Sequence, residues 1–553
     1  MNEKKLSHVE KIKTSSDGLR GTLKESLQDS HTGSLREDDQ SLIKFHGLYQ
    51  QDDRDRREDR SAKKLEWLYS FMIRLRLPGG FLTPKQWVGL HHIAGDHSTG
   101  IIKITTRQTV QLHGIVKSHI KPTIQAFDTI KLDSIAACGD VNRNVLCSPN
   151  PKQSFLHEEI YAYADEISTL LLPKTRSYYD IWLDEEKLVE NIEEDPLYQN
   201  RYLPRKFKIA IAIPPNNDVD VFANDIGLIA IIIGGKLQGF NIAIGGGLSA
   251  THGNLATYAR AATVIGFTNS KEKLFKVVYE IITIQRDFGN RSDRKLARLK
   301  YTIDNMGIEA FKAELNNRIG YILEQEKPYS FTERKDYYGW QQCDKGLWHY
   351  TVFVENGRVL DDGQLALKTA LLELAETGKA NFRFTGNQNV ILTDVQAANK
   401  NIINEILEKY NIIAHTNNAS GLRKNSMACV ALPTCPLALA EAQRYLPTLI
   451  DKIEPLLTKH QLQHEEIITR MTGCPNGCGR SAISEIGFIG TAPGKYNLQL
   501  GGDYEGCRLN KTYKEHLDED GLLHELDNLF LSFKNERNGG EKFGDFTRRK
   551  QLV

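Results

Sequence analysis

Eight cysteines lie at positions 138, 147, 343, 429, 435, 474, 478 and 507, and four of them are grouped in a way that chemistry can use. Five residues separate Cys429 from Cys435, and three separate Cys474 from Cys478. Pro433 and Pro436 keep the first pair out of a regular helix. The second pair reads T-G-C-P-N-G-C-G-R, and its Pro475, Asn476 and Gly477 are turn formers that let both sulfurs face one concavity. Four thiolates at one point need a cation. Structural zinc prefers tighter spacings, typically Cys-x2–4-Cys. An iron–sulfur cube, which its ligands must reach around, suits the wider spacings better. Zinc and unconnected buried thiols stay open as the other two readings. The remaining four cysteines lack close partners and read as small buried hydrophobes.

Three segments add a second chemistry. Side chains alternate between the faces of a strand. In F-M-I-R-L-R-L at 71–77, Arg74 and Arg76 fall opposite Phe71, Ile73, Leu75 and Leu77. In K-F-K-I-A-I-A-I at 206–213, Lys206 and Lys208 share a face with Ala210 and Ala212, whose small side chains leave room for something bulky. Read as one strand, 104–113 sets Arg107, Gln111 and His113 on one side with Thr105 and Thr109. A solvated outer face accounts for any one such strand. Three in one module point to a large polyanionic ligand, with Arg143 of D-V-N-R-N-V-L-C as a further cation.

The elements that must hold these residues mix two periods. Leu274 to Arg286 and Leu365 to Glu376 read as helices, and Ile209 to Ile213 and Val390 to Leu392 as strands. The chain is therefore neither all-helical nor a sandwich. An internal repeat organises it. I-T-T-R-Q-T-V-Q-L at 104–112 returns as F-T-G-N-Q-N-V-I-L at 384–392, and F-N-I-A-I-G-G at 240–246 as Y-N-L-Q-L-G-G at 496–502. The offsets, 280 and 256 residues, follow in the same order. The expected fold is α+β: two duplicated modules, 65–345 and 346–553, related by a pseudo-twofold, with mixed sheets, flanking helices and a shared site at their interface. Residues 1–64 read as a polar arm and extended segment, mobile up to about residue 45, with order beginning around Leu68. The sign-alternating run Asp52 to Arg60 reads as a solvated or ion-paired surface.

Composition excludes several functions. The 553 residues carry 71 Lys+Arg against 70 Asp+Glu, a net charge of +1, which argues against nucleic acid as a partner. The most apolar run, Ile226 to Ile233, is far shorter than the roughly 20 residues of a membrane span. The first residues lack the apolar core of a secretory signal, so a cytoplasmic chain with reduced thiols is expected. Gly245 to Ala250 (G-G-G-L-S-A) satisfies a dinucleotide fingerprint, but no acidic residue follows at the required distance and the repeat copy does not keep the pattern. Without its own nicotinamide or flavin site, a redox protein of this sequence must take electrons from elsewhere.

T-G-C-P-N-G-C followed by E-I-G-F at 485–488 resembles the siroheme-binding signature of the sulfite and nitrite reductases. The likeness extends from about residue 44 through F-H-G-L-Y-Q-Q-D-D-R-D, R-L-R-L-P-G-G, T-R-Q-T-V-Q-L-H-G, Y-L-P-R-K-F-K, G-G-G-L-S-A-T-H-G-N, N-S-M-A-C-V-A-L-P-T-C-P-L-A and F-G-D-F-T. Within that family it is most similar to the haemoproteins of assimilatory NADPH-dependent sulfite reduction. The resemblance implies one siroheme and one [4Fe-4S] cluster joined through a cysteine sulfur. It implies Cys429, Cys435, Cys474 and Cys478 as cluster ligands, with Cys478 the bridging thiolate and axial haem ligand. It implies Arg74, Arg143, Lys206 and Lys208 as substrate-facing cations, and Arg107, Gln111, His113, Arg205, Gln388 and Asn476 as siroheme-lining residues. Gly139 stands where the resemblance implies Asn. The implied reaction is six-electron reduction of sulfite to sulfide, in sulfate assimilation and cysteine biosynthesis. The implied partner is a separate flavoprotein carrying FAD and FMN and using NADPH. A ferredoxin-dependent sulfite or nitrite reductase of the same fold is the alternative.

Overall fold

The computed structural model describes residues 6–149, 154–184, 195–343 and 345–553. Four five-stranded sheets fall into two equivalent pairs. The first pair is antiparallel throughout. One sheet orders Leu48–Asp52, Tyr69–Arg74, Val110–Ile115, Ile102–Ile104 and Arg358–Val359; its counterpart orders Gly339–Gln342, Trp348–Val352, Val390–Val395, Asn381–Phe384 and Phe81–Leu82. The last strand of each comes from the other half of the chain. Leu82 pairs with Phe382, and Arg358 with Lys103, so the repeats exchange an edge strand.

The second pair is mixed. Leu146–Cys147, Ile209–Ala212 and Ile226–Ile233 run parallel, and Lys236–Ile244 and Thr263–Thr268 continue antiparallel. Ser426–Ala428, Thr469–Thr472, Ile486–Ala492, Lys495–Leu500 and Lys511–Leu517 repeat that order and those directions. The central strands of the first mixed sheet are apolar on both faces, the composition of strands covered on both sides. Lys271–Phe288, capped by the Ser270 hydroxyl, shares a core with this sheet, and Glu519–Glu536, capped by Asp518, shares one with the second mixed sheet.

The two halves lock through matching side chains. Gln108 Nε2 donates to the Phe384 carbonyl at 3.0 Å, and Gln388 Nε2 donates to the Ile104 carbonyl at 3.2 Å. The chains pass so closely that a Cβ on Gly80 would meet the Phe384 carbonyl oxygen at 2.9 Å, and one on Gly357 the Gln388 Cβ at 2.9 Å. Both glycines have positive φ, 74° and 67°, so two requirements select glycine at each.

Three expectations change, while the ion-paired reading of Asp52 to Arg60 holds. Cys507 is exposed, not a buried hydrophobe. The N-terminal segment is docked. His8–Ser15, Leu23–Gln28 and Glu37–Leu42 are helices, and Leu19, Leu23, Leu42 and Ile43 are buried in the core. Lys13, at 2% exposure, donates to the Leu203 carbonyl and pairs with Glu10, so the polar residues spend their charge inward. Residues 104–113 form a hairpin, Ile102–Ile104 and Val110–Ile115. The turn between them closes with Thr105 N–H on the Thr109 carbonyl at 2.7 Å and carries Gln108 at φ 52°. Alternation therefore does not run through Arg107, which sits in the turn. The run Asp52 to Arg60 is ion-paired, with Arg57 bidentate on Asp52, but its Arg54 also crosses to the second half and donates to the Ala438 carbonyl at 2.6 Å. No helix among the described residues is long and apolar enough to cross a membrane.

Candidate functional site

Adjacent parallel strands deliver the cysteines. Ser426 pairs with Thr469, so Cys429, just past one strand, and Cys474, just past the next, leave the same sheet end side by side. The Pro433–Ala438 loop turns Cys435 back toward them, with Cys435 N–H on the Ala431 carbonyl at 3.0 Å. Gly477, at φ 66°, turns the second loop so that Cys478 emerges exposed while Cys474 stays buried. Two donors point at sulfur: the Gly473 N–H at 3.4 Å from Cys429 Sγ, and Asn476 Nδ2 at 3.4 Å from Cys474 Sγ. Burial pushes the Cys429 thiol up to about 12 and Cys435 up to about 11, and in each the charge of Cys478 adds to the effect. Cys474 is raised by the same two causes. Cys478 is thus the thiol that each of the other three senses.

No three His, Cys, Asp or Glu side chains among the described residues converge tightly enough to hold a single metal ion. The four thiols suit a larger object. A cube of irons and sulfides sets its ligands wide and is anchored by Cys thiolates alone. Four Cys thiols are the donor set of a four-iron cluster.

Cys478 also lines an open cleft of about 430 Å³, part of it bulk solvent at the mouth. The cleft walls carry Arg107, Lys206, Lys208, Arg298 and Arg480, together with Asn224, Ser249 and Asn476, and no carboxylate. Burial followed by the charge of Arg205 lowers the Lys206 ammonium to about 7, and burial followed by Lys206 takes Lys208 well down. Neither amine has a carboxylate within ion-pair distance among the described residues. Two adjacent ammonium groups without a carboxylate partner, next to Arg107, are costly unless an anion enters the cleft. The cleft therefore fits a polycarboxylate such as siroheme, with a thiol at its floor.

Of the residues expected at the site, Arg107, Lys206, Lys208, Asn476 and Cys478 share this cleft. Arg74, Arg143, Gln111 and His113 form an adjoining group. Arg74 Nη1 lies 3.1 Å from Cys138 Sγ, and Arg143 Nε donates to the Gly139 carbonyl at 2.8 Å, so both grip one turn. With its amide oxygen toward Arg74, Gln111 accepts from Nε at 2.9 Å. His113 Nδ1 lies 2.9 Å from Gln51 Oε1, and burial, then Lys103 and Arg74, hold its imidazole at about 3 and so neutral. The groups adjoin electrostatically, since after burial the charge of Arg143 is the next largest influence lowering Arg107. Arg205 is held down to about 10 by burial and then by Arg294. Gln388, 1% exposed, lies at the junction of the halves outside the cleft lining, and its Oε1 has no partner among the described residues.

Sequence reasoning missed Arg298 and Arg480. Arg298 is bidentate on the buried Asp225, at 2.7 and 3.2 Å, and Asp225 also accepts from the Lys208 N–H at 2.9 Å. Arg480 pairs with buried Asp220 at 2.7 Å. The available signal was the match of N-D-I-G at 224–227 to S-E-I-G at 484–487, which aligns these acids and turns between repeats. The rejected G-G-G-L-S-A loop also belongs here. Ala250 N–H donates to the Pro475 carbonyl at 2.9 Å, and Lys300 Nζ holds the loop through the Gly247 and Ser249 carbonyls at 3.0 and 2.8 Å.

Residues 163–323 match the family described as nitrite and sulphite reductase 4Fe-4S domain, and residues 68–129 and 340–410 match the nitrite/sulfite reductase ferredoxin-like half domain. The four grouped cysteines fall outside both matches. A curated sulfite reductase (NADPH) hemoprotein beta-component of Leptospira biflexa is 63% identical over 547 residues, covering 99% of this chain and 98% of the relative. The protein of the same description from Anoxybacillus flavithermus is 51% identical, covering 99% and 96%. Among solved structures, the Mycobacterium tuberculosis NirA protein superposes with a TM-score of 0.79 at 25% identity, covering 99% of this chain and 98% of that one. Identity of this order across the whole length means that the chain belongs to the sulfite reductase (NADPH) hemoprotein beta-component family.

Proposed function

We propose that this chain carries one siroheme and one [4Fe-4S] cluster and reduces sulfite to sulfide, and that Cys429, Cys435, Cys474 and Cys478 hold the cluster. The observation that carries this reading is the double position of Cys478: it lines the cationic cleft and follows, across the Gly477 turn, the Cys474 that leaves the sheet end beside Cys429. A thiolate so placed would be able to hold both the cluster and the siroheme. When bound, the two groups supply electrons one at a time to sulfur as its oxygens leave as water.

The side chains do the rest. Arg74, Arg143, Lys206 and Lys208 hold the sulfite oxygens by charge-assisted hydrogen bonds. Arg107, Gln111, His113, Arg205, Gln388 and Asn476 support the siroheme and its carboxylates, Arg107 and Asn476 from the cleft itself. Arg298 and Arg480 extend the same cationic wall. Lys206, whose ammonium is easily deprotonated, is suited to pass a proton to an oxygen as its bond to sulfur breaks. Residues 65–345 supply the substrate-side repeat and residues 346–553 the cluster-side repeat.

Electrons come from NADPH through a separate flavoprotein carrying FAD and FMN, in assimilatory sulfur metabolism leading to cysteine. The test is direct. The purified chain should show siroheme absorption and four irons of cluster, reduce sulfite with an artificial reductant, and oxidise NADPH only when the flavoprotein is added. Stoichiometric flavin with NADPH turnover in the isolated chain would overturn the partner assignment, and a colourless zinc-containing chain the cofactor assignment.

A further inference from the structure

One row of side chains crosses the first antiparallel sheet on a single face. Register sets Arg74 opposite Gln111, Gln111 opposite Lys103, and Lys103 opposite Arg358. Residues directly opposite in a ladder project to the same side. The row therefore runs from Arg74 across two strands of the first repeat to the edge strand contributed by the second.

Lys103 is the costly member. It is 3% exposed, and no carboxylate lies within ion-pair distance of its ammonium among the described residues. Its hydrogen bond goes to a neutral acceptor, the Asn356 carbonyl. Arg358, directly opposite, adds a like charge, which in a ladder is repulsive. The repeat equivalent of Lys103 is Arg383, and its surroundings differ. Arg383 Nη1 lies 3.0 Å from His157 Nε2, and its guanidinium stacks 4.7 Å from the Tyr161 ring centroid. That cation has a base and an aromatic face, whereas Lys103 has neither. A buried ammonium in this position calls for an anion.

The hydrogen bonds lead to the backbone of one of the grouped cysteines. Asn356 Nδ2 donates to the Gln443 carbonyl at 3.4 Å, and the Gln443 N–H donates to the Cys429 carbonyl at 3.0 Å. The turn that carries Asn356, Glu355–Gly357, also packs on the strand Ser426–Ala428, which Cys429 directly follows.

We propose that Lys103 is the counter-charge of the iron–sulfur cluster on its Cys429 side, a positioning residue that makes the cluster easier to reduce. This rests on the reading that the four cysteines hold the cluster. Four thiolates give such a cluster a net negative charge, and accepting one electron from the flavoprotein makes it more negative without breaking a bond. A fixed cation in a dry setting stabilises the reduced form over the oxidised one. Arg358 acts in the same sense from a less buried place.

The test is a redox titration of the holo-chain, following the spin-resonance signal of the reduced cluster, alongside an iron assay. Lys103→Met keeps the length and removes the charge; its midpoint should become more negative at full iron content. Lys103→Arg should restore a midpoint near wild type. Full iron with an unchanged midpoint in Lys103→Met would overturn the proposal. If Lys103→Met does not assemble, Arg358→Gln decides: a more negative midpoint supports the proposal and an unchanged one overturns it. A wild-type chain with siroheme absorption but no four-iron signal would overturn the cysteine assignment, and this proposal with it.

Discussion

Asp220 and Arg480 occupy equivalent turns of the two repeats and are bound to each other at 2.7 Å. Both adopt left-handed backbone, at φ 48° and 58°, and each precedes a short 3-10 helix, Val221–Ala223 and Ser481–Ile483. The pseudo-twofold thus passes through an ion pair whose two members differ, so the repeats are complementary where they meet. Asp220 also receives Arg334 at 3.1 Å and Arg470, with every partner buried.

Replacing Asp220 by Asn should leave three buried guanidinium groups without their shared carboxylate. The expected loss is about 3–5 kcal/mol of unfolding free energy, the usual cost of breaking a buried charge network. Because Arg480 lies two residues past Cys478, cluster iron should fall as well. Denaturant unfolding and an iron assay measure both; an unchanged unfolding midpoint would remove the network from the account of stability.

Serine at Cys429, Cys435, Cys474 or Cys478 should cost cluster iron in each case, and Cys478→Ser should alter the haem absorption most, since only that thiol is exposed in the cleft. Cys343→Ser should alter neither. Full iron and an unaltered haem band in Cys478→Ser would show that the bridge lies elsewhere.

Lys208→Ala should lower sulfite turnover at least about tenfold, because one charge-assisted hydrogen bond is worth on the order of 1.5–3 kcal/mol. Iron content should hold, since Phe207 and Ile209, not Lys208, are the fully buried members of that segment. Steady-state kinetics with an artificial reductant checks this. Wild-type rates in a fully loaded variant would take Lys208 out of the substrate site.

Glu485 gives a pH prediction. Its carboxyl accepts from the Ile468 and Gly544 N–H groups, both at 2.9 Å, and joins the C-terminal helix Phe543–Arg549 to the second mixed sheet. Burial raises it from 4.5 to about 7, against those two bonds and the charges of Arg334 and Lys542. The folded chain therefore holds this proton more tightly than the unfolded chain. The resulting stability is full below about 4.5 and is lost as pH rises through about 7. Relative to Glu485→Gln, wild type should lose about 3 kcal/mol between those limits. Unfolding curves of the two proteins at pH 5 and pH 8 measure the difference, and parallel behaviour would contradict the assignment.

The duplicated α+β plan was legible because two short strand motifs recur in order, and the grouped cysteines because ligand spacing is local. What escaped depends on distant partners. Arg298 becomes a cleft residue only because Asp225 orients it, and Arg480 only because Asp220 does. The 104–113 hairpin escaped because alternating residue types continue across a turn set by the backbone of Gln108. The N-terminal helices read as an arm because their buried charges, Glu10 and Lys13, satisfy each other and a distant carbonyl, leaving few apolar residues to mark the docked face.

The exchanged edge strands bear on how the protein is made. The sheet begun by Leu48–Asp52 is not complete until Arg358–Val359 has left the ribosome, and Phe81–Leu82 must wait for a partner synthesised about three hundred residues later. The last of the four grouped cysteines emerges later still, at 478 of 553 residues. Neither half has a full set of strands alone, so a product truncated before Arg358 exposes an unpaired sheet edge. On the cysteine assignment proposed above, a chain interrupted before residue 478 would also lack one of the four donor thiols.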